Sequence, residues 1–342
     1  METQQVGRVI HTGQVVVDLT MNIDHVPQPS TEIFADGYGL EVGGGFNVMY
    51  AVRQMGVIAE YAGGLGVGPL ADIARERLVR EKIVASGYRD TTMDTGICVA
   101  MTDRNAERTF VSTRGAELNT PLDAYDDIRL GVGDVVYMTG YSLVDEAPKA
   151  ALLRLIERLR TRTVKKSADP VEKPTIVFDP STMVADIDRD TLETVASVHP
   201  IWSLNARESR IVAVTLGVEI DETDDASQLA LSLSETVDAP VIVRQGGKGA
   251  FVAAGGRVET IAPHAVDAID TNGAGDTHCG VVCAMLARGS ELNEAVRVAN
   301  VAAALSVTRR GPATCPSLAE LTAASPTAYR SWERSSSALS GE

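Results

Sequence analysis

The amino-acid sequence predicts an α/β protein: a mainly parallel central sheet with helices on both faces, and a small second β-sheet. Two observations carry that expectation. Short apolar runs alternate with helix-length patterns through most of the chain, and strands joined by helices of that length lie parallel through right-handed crossovers. A minority of β-branched pieces in the first third is joined by turns instead, as antiparallel neighbours are.

In chain order, Arg8–Ile10 leads through Thr12 and Gly13 into Gln14–Thr20, a β-branched run with a glycine bend. Residues Glu32–Val42 alternate loosely and read as a small-sheet strand pair, as do Gly96–Thr102 and Arg108–Thr113 around the turn Asp103–Glu107. The strand–helix units are Glu60–Ala62 then Leu70–Lys82, Val135–Met138 then Ala147–Arg162, Thr175–Phe178 then Asp188–Val198, and Ile201–Leu204 then Arg207–Val214. Val241–Arg244 precedes a hairpin, Gly249–Ala254 and Arg257–Ile261, turning at Gly255-Gly256, and a helical end runs from Asp276 to about Leu321. Thr161–Lys173 reads as a surface loop, and Ser331–Glu342, Ser-rich without an apolar period, as a frayed tail.

Composition narrows the function. Apolar residues make 44 % of the 342 and charged residues 23 %, which fits a globular protein and excludes a disordered or fibrous one. Thirty-one Lys and Arg against 46 Asp and Glu leave a net charge of −15, a field that repels nucleic acid and anionic lipid. Neither is an expected partner. Any phosphate must be held by a local site of backbone N–H groups, a few cations and a metal. Four cysteines, Cys98, Cys279, Cys283 and Cys315, make no disulfide framework, and the opening METQQVGR carries no export segment. Uncharged stretches such as Val42–Val52 and Val298–Thr308 fall short of the ~18–20 residues that span a bilayer. A cytoplasmic location is expected.

The most informative stretch is Asp270-Thr-Asn-Gly-Ala-Gly-Asp276, followed at once by the apolar pattern Val281, Val282, Met285, Leu286. Small residues Gly273, Ala274 and Gly275 let the backbone approach a ligand, and a helix starting there aims free N–H groups at whatever lies in front. An anion suits that position, and Asp276 beside it can take a proton from an attacking hydroxyl. As a cap, the same Asp would be structural only. Asn205-Ala-Arg-Glu208 reads either as a polar helix start, with Asn205 as cap and Glu208 at the third position, or as a metal-facing pair.

Other motifs fail on spacing. Gly247-Lys248 is followed by Gly249 rather than Ser or Thr, so there is no P-loop. Tyr61-Ala-Gly-Gly-Leu-Gly-Val-Gly68 has Pro69 where a dinucleotide-binding turn needs its third glycine. His278, Cys279 and Cys283 do not share one helix face and read as buried small residues with a polar histidine at the site edge.

Asp270-Thr-x-x-Ala-Gly-Asp276 strongly resembles the C-terminal signature of the ribokinase-like carbohydrate kinases, the phosphofructokinase-B family. Further features follow in that family's order over roughly 300 residues: Asp18 after the first strand, Gly43-Gly44 with Asn47, Asn205-Ala-Arg-Glu208, Gly246-Gly-Lys-Gly249 and Thr308-Arg-Arg-Gly311. The resemblance implies a three-layer α/β/α sandwich over residues 1–330 with a small β-sheet lid from about 20–42 and 92–116. It implies ATP-dependent phosphoryl transfer to a hydroxyl of a small sugar, with a nucleoside as the alternative acceptor. A catalytically silent sugar-binding protein on the same fold is the alternative of another class. Asp276 would be the base, and Gly273, Ala274 and Gly275 would supply the anion-holding amides.

By the same resemblance, Asp18, Gly43, Gly44, Asn47 and Tyr141 would bind the acceptor. Asn205, Arg244, Gly246, Gly249, Thr271 and Asn300 would bind the nucleotide. Glu208 would hold Mg²⁺ through water, and Asp270, with carbonyls from Arg310–Thr314, a monovalent cation such as K⁺. Relatives often pair through the lid, so a homodimer is an implied partner. The chain departs from the family pattern in three places. It has one residue fewer between the Gly pair and Asn47, His278 where an aromatic residue is common, and Tyr141 where ribokinase carries an acidic sugar ligand, which together argue against ribose.

Overall fold

The computed structural model describes residues 6–105, 107–164, 174–221 and 225–325. Among these residues nine strands build the main sheet in the order β13-β12-β11-β10-β9-β8-β1-β4-β5. They are β1 (Arg8–His11), β4 (Ile58–Tyr61), β5 (Val84–Ala85), β8 (Val135–Thr139), β9 (Thr175–Asp179), β10 (Ile201–Asn205), β11 (Val241–Arg244), β12 (Ala250–Ala254) and β13 (Arg257–Ile261). All pair parallel from β5 to β11, and the β12–β13 hairpin adds the antiparallel edge. The second sheet has the order β3-β2-β6-β7, from β2 (Val15–Asn22), β3 (Gly37–Gly44), β6 (Ile97–Thr102) and β7 (Arg108–Ser112).

The α/β expectation is borne out, and strand alternation explains the layers. Val9, Val135, Tyr137, Val177 and Ile242 point into one core, with α1 (Gly45–Gln54), α2 (Pro69–Arg80), α7 (Ala274–Ala287), α8 (Leu292–Ser306) and α9 (Leu318–Ala324). Ile10, Val136, Met138, Phe178 and Val243 point into the other, against α3 (Glu146–Val164), α4 (Arg189–Ala196), α5 (Ala206–Leu216) and α6 (Ala226–Val237). A central strand buried on both faces needs apolar residues throughout, which is why β8 reads VVYMT without alternation.

Several boundaries differ from the sequence reading. The strand pair expected over Glu32–Val42 is one strand that begins at Gly37, where pairing with Asn22 starts. Helix α6 went unread because serines dilute its pattern, although Leu229, Leu233 and Val237 recur at helical spacing and Asp225 with Gln228 closes a capping box. Of the surface loop expected over Thr161–Lys173, the first four residues are helical, since α3 continues to Val164, and 165–173 lie outside the described residues. The expected helical end is three helices, the first closed at Gly289 with φ 85°. The expected tail, Ser331–Glu342, lies outside the described residues. Among the described residues no helix is long and apolar enough to cross a membrane.

Candidate active site

The carboxyl ends of parallel strands are where α/β folds collect their ligands, because loops and helix N-termini converge there. His11, Asp179, Asn205 and Arg244 are the last residues of β1, β9, β10 and β11. The first turn of α7 sits against that edge. Gly273 takes φ 71° as its N-cap, and a Cβ there would run into the carbonyl of Pro312, so only glycine fits. No side chain caps the helix, which leaves its leading amides for an anion, although the N–H of Ala274 already makes a 3.4 Å contact with the Thr271 carbonyl.

Two clamps fix this turn. Arg244 Nη1 donates to the Gly275 carbonyl at 3.2 Å, while Nη2 reaches Asp179 at 3.2 Å and Glu208 at 3.3 Å. Burial works against the guanidinium charge, but the carboxylates of Asp179 and Glu208 around it more than restore it. The second clamp is Asn47, whose Nδ2 donates to Asp276 Oδ2 at 3.0 Å. Asn47 comes from the first turn of α1, whose N-cap Gly44 has φ 61°.

Asp276 is pushed up to about 6, chiefly by burial; the Asn47 bond opposes this, Asp179 adds to it and Arg244 subtracts. A helix N-terminus lowers the basicity of a carboxylate in its first turn, and at Asp276 burial outweighs that effect. Asp18 also rises to about 6, by burial first and then by the charges of Asp276 and Glu41. A Cβ on Gly43 would collide with the Asp18 carboxylate, so of the glycine run it is Gly43 that leaves room around that side chain.

The remaining candidates surround this centre. Asn205 accepts from the N–H groups of Arg207 and Glu208 at 2.9 Å each, and Glu208 returns a bond to the Asn205 N–H at 2.7 Å. The capping reading of that pair is therefore realised. Asp270 accepts from the N–H groups of Asn272 (2.9 Å) and Gly311 (3.0 Å), tying Thr271 and the turn before α7 to the 309–314 segment. Asn300 of α8 donates to the Ala262 carbonyl at 3.0 Å. Gly246 and Gly249 bracket a short turn with φ 55° and 92°. Tyr141 lies within 3.0 Å of Thr182 Oγ1 through its hydroxyl.

His278 is buried rather than at the site edge, 4 % exposed, and pushed down to about 3 by burial and by the positive Arg244. The Cys279 thiol, pushed up by burial, faces Ser203 and Asp179. Among the described residues no group of three or more His, Cys, Asp or Glu side chains is placed to hold a metal.

Sequence reading missed His11, Asp179 and Glu41. His11 lies buried where the chain leaves the main sheet for the small one, accepting from the Gly13 N–H at 2.9 Å. Asp179 gave one usable signal: an acidic residue ending the apolar strand TIVFD.

Two solved structures share this architecture. A ribokinase from Giardia lamblia superposes with TM-score 0.77 at 20 % identity, covering 94 % of this chain and 98 % of that one. A fructokinase from Vibrio cholerae O395, in fructose, ADP and calcium ion bound form, gives 0.74 at 21 % identity over 93 % and 98 %. At that identity the likeness establishes the fold alone. Residues 8–319 match the profile described as pfkB family carbohydrate kinase, and the chain belongs to that family. It is 29 % identical over 314 residues to the uncharacterized sugar kinase YegV of Escherichia coli K12, 92 % of each chain. It is 30 % identical over 282 residues to the 1-phosphofructokinase of the same organism, 79 % of this chain and 81 % of that one. The protein is thus a kinase.

Proposed function

We propose that the protein transfers the γ-phosphoryl group of ATP to a hydroxyl of a small sugar. The observation that carries this reading is Asp276 itself, a half-buried carboxylate in the first turn of an uncapped helix, aimed by Asn47. Phosphoryl transfer has a loose, charge-dispersed transition state, so positioning and electrostatics supply most of the catalysis. The amides of Gly273, Ala274 and Gly275 would face the migrating group. Asp276, near pKa 6, is ionised at neutral pH and basic enough to receive the acceptor's proton. Asp18 and Asn47 would hold the acceptor, with Gly43 and Gly44 leaving room for it and Tyr141 at its rim.

The nucleotide would lie along Asn205, Arg244, Gly246, Gly249, Thr271 and Asn300. Mg²⁺, when bound, would neutralise its phosphates. Glu208 would serve through water: Asn205 N, Asn205 Nδ2 and Arg244 Nη2 take up three of its four lone pairs and leave one to accept from a metal-bound water. Asp270 with the 310–314 carbonyls would hold a monovalent cation.

One observation favours a second acceptor class. Phe110 lies 57 % exposed and, by register through Ala100 and Thr20, on the same sheet face as Asp18, where a nucleobase could stack. Phe46, by contrast, is part of the core. A panel of pentoses, hexoses, their phosphates and nucleosides, read by coupled ADP release, decides between them. Asp276→Asn is expected to keep nucleotide affinity within about threefold while turnover falls by roughly 10³-fold or more. Comparable turnover in that variant would remove Asp276 from the base role, and no ADP release with any acceptor would overturn the kinase reading.

A further inference from the structure

The small sheet carries one polar row that includes Asp18, which lies close enough to the α7 turn to feel the charge of Asp276. Strand register sets Asp18 of β2 opposite Glu41 of β3 on one side and Cys98 of β6 on the other, with Cys98 opposite Ser112 of β7. Residues opposite one another across a sheet share a face. Gly43, two residues beyond Glu41 and hence on the same face, is the position whose Cβ would strike the Asp18 carboxylate. Asp18 and Glu41 therefore project together, and Glu41 is close enough for its charge to raise the Asp18 pKa.

A separate observation concerns Asn47. Its Nδ2 is committed to Asp276, and its Oδ1 is buried without a hydrogen-bond partner in a residue only 6 % exposed. A buried oxygen of that kind is costly until a donor reaches it. The acceptor end of the cleft therefore offers the carboxylates of Asp18 and Glu41 and the Asn47 carbonyl. Each of these accepts hydrogen bonds, and with Asp276 three of the groups carry negative charge. Arg244, a cation that reaches the α7 turn, is already engaged by Asp179 and Glu208.

We propose that Glu41 is a specificity-determining residue. With Asp18 and Asn47 Oδ1 it receives the hydroxyls of an uncharged polyhydroxy acceptor, and it repels acceptors that carry phosphate or carboxylate. This rests on the kinase reading above and deepens it. Family membership leaves the point open, since the relatives include a 1-phosphofructokinase. Like charges brought together in a partly desolvated cleft are penalised, and substrates that fail to pair buried polar groups are discriminated against strongly.

The test compares uncharged sugars with their phosphate and carboxylate derivatives on the intact protein, by ADP release and, without any need for turnover, by thermal shift. Wild type should favour each uncharged parent by at least about 100-fold in kcat/KM. Glu41→Lys should narrow that ratio by about tenfold or more, chiefly through KM. Glu41→Gln, which keeps the shape and removes the charge, should fall between. Glu41 is exposed, so neither change threatens the core. A wild type that prefers the charged derivatives, or a ratio unmoved in both variants, overturns the role of Glu41 and leaves the kinase reading standing. Binding of uncharged sugars with no ADP release overturns the kinase reading instead, and failure of any sugar to bind overturns both.

Discussion

Asp276 and Asp18 each hold a proton until about pH 6, Asp276 through burial and Asp18 through burial reinforced by the charge of Asp276. Both must be ionised for the proposed chemistry. The acid limb of log kcat/KM against pH should accordingly break near 6 and steepen towards a slope of two below it, a limb that belongs to the interacting pair rather than to either residue. Asp18→Asn should flatten the slope to one; a limb breaking near 4 would contradict the desolvated site. Stability follows with the opposite sense. The folded protein binds these protons more tightly than the unfolded chain, whose carboxylates titrate near 3.8, so stability falls as pH rises from about 4 to 6 and the full cost persists above that. For Asp276 the cost is at most about 3 kcal/mol, taking ~1.4 kcal/mol per unit. Asp276→Asn should therefore melt higher than wild type at pH 7.5 and converge with it near pH 4, as thermal unfolding at the two pH values would reveal. The sequence exposed Asp276 through its glycine neighbours. Glu41 was illegible, because it becomes a site residue only through its register against Asp18, and register is long-range information.

At the scale of elements, the geometry depends on how closely α1 and α7 approach. Gly280, one turn beyond Asp276 on α7, meets α1 directly: a Cβ there would stand 2.7 Å from Ala51 Cβ and press on the Val48 carbonyl. Asn47, next to Val48, donates to Asp276 because the helices are that close. Gly280→Ala should force them apart. Overpacking of this kind costs about 1–3 kcal/mol, and the stretched Asn47–Asp276 bond should lower kcat/KM as well. A variant with unchanged melting temperature and unchanged kcat/KM would show the packing to be slack. The elements with strong local signals were legible: the Gly255-Gly256 hairpin, the α7 start and the apolar central strands. Those set by tertiary context were not. Helix α6 hides behind serines, and β3 starts where its partner's pairing begins rather than where its own pattern does.

The whole molecule divides the proposed site between two sheets. Asp18 and Glu41 belong to the small one, while Asn47 and Asp276 ride on helices packed against the main one. A ligand held by both sets must bridge the sheets. The small sheet has little core of its own: every residue of β6 is half-buried, and Phe110 and Val111 of β7 lie open to solvent. The central strands β8, β9 and β10 are buried nearly throughout. Local stability should be lowest where buried contacts are fewest, so the small sheet is the part a ligand can order. Binding of an accepted sugar together with a non-hydrolysable ATP analogue should slow amide hydrogen exchange across β2, β3, β6 and β7 by at least about tenfold, leaving β8–β10 unchanged. The nucleotide analogue alone should protect the 270–277 turn and leave the small sheet exchanging as before. Protection confined to the main sheet in the ternary complex would mean that the small sheet does not close over the acceptor. Water would then compete for the phosphoryl group, and the role given to the Asp18 row would fail with it.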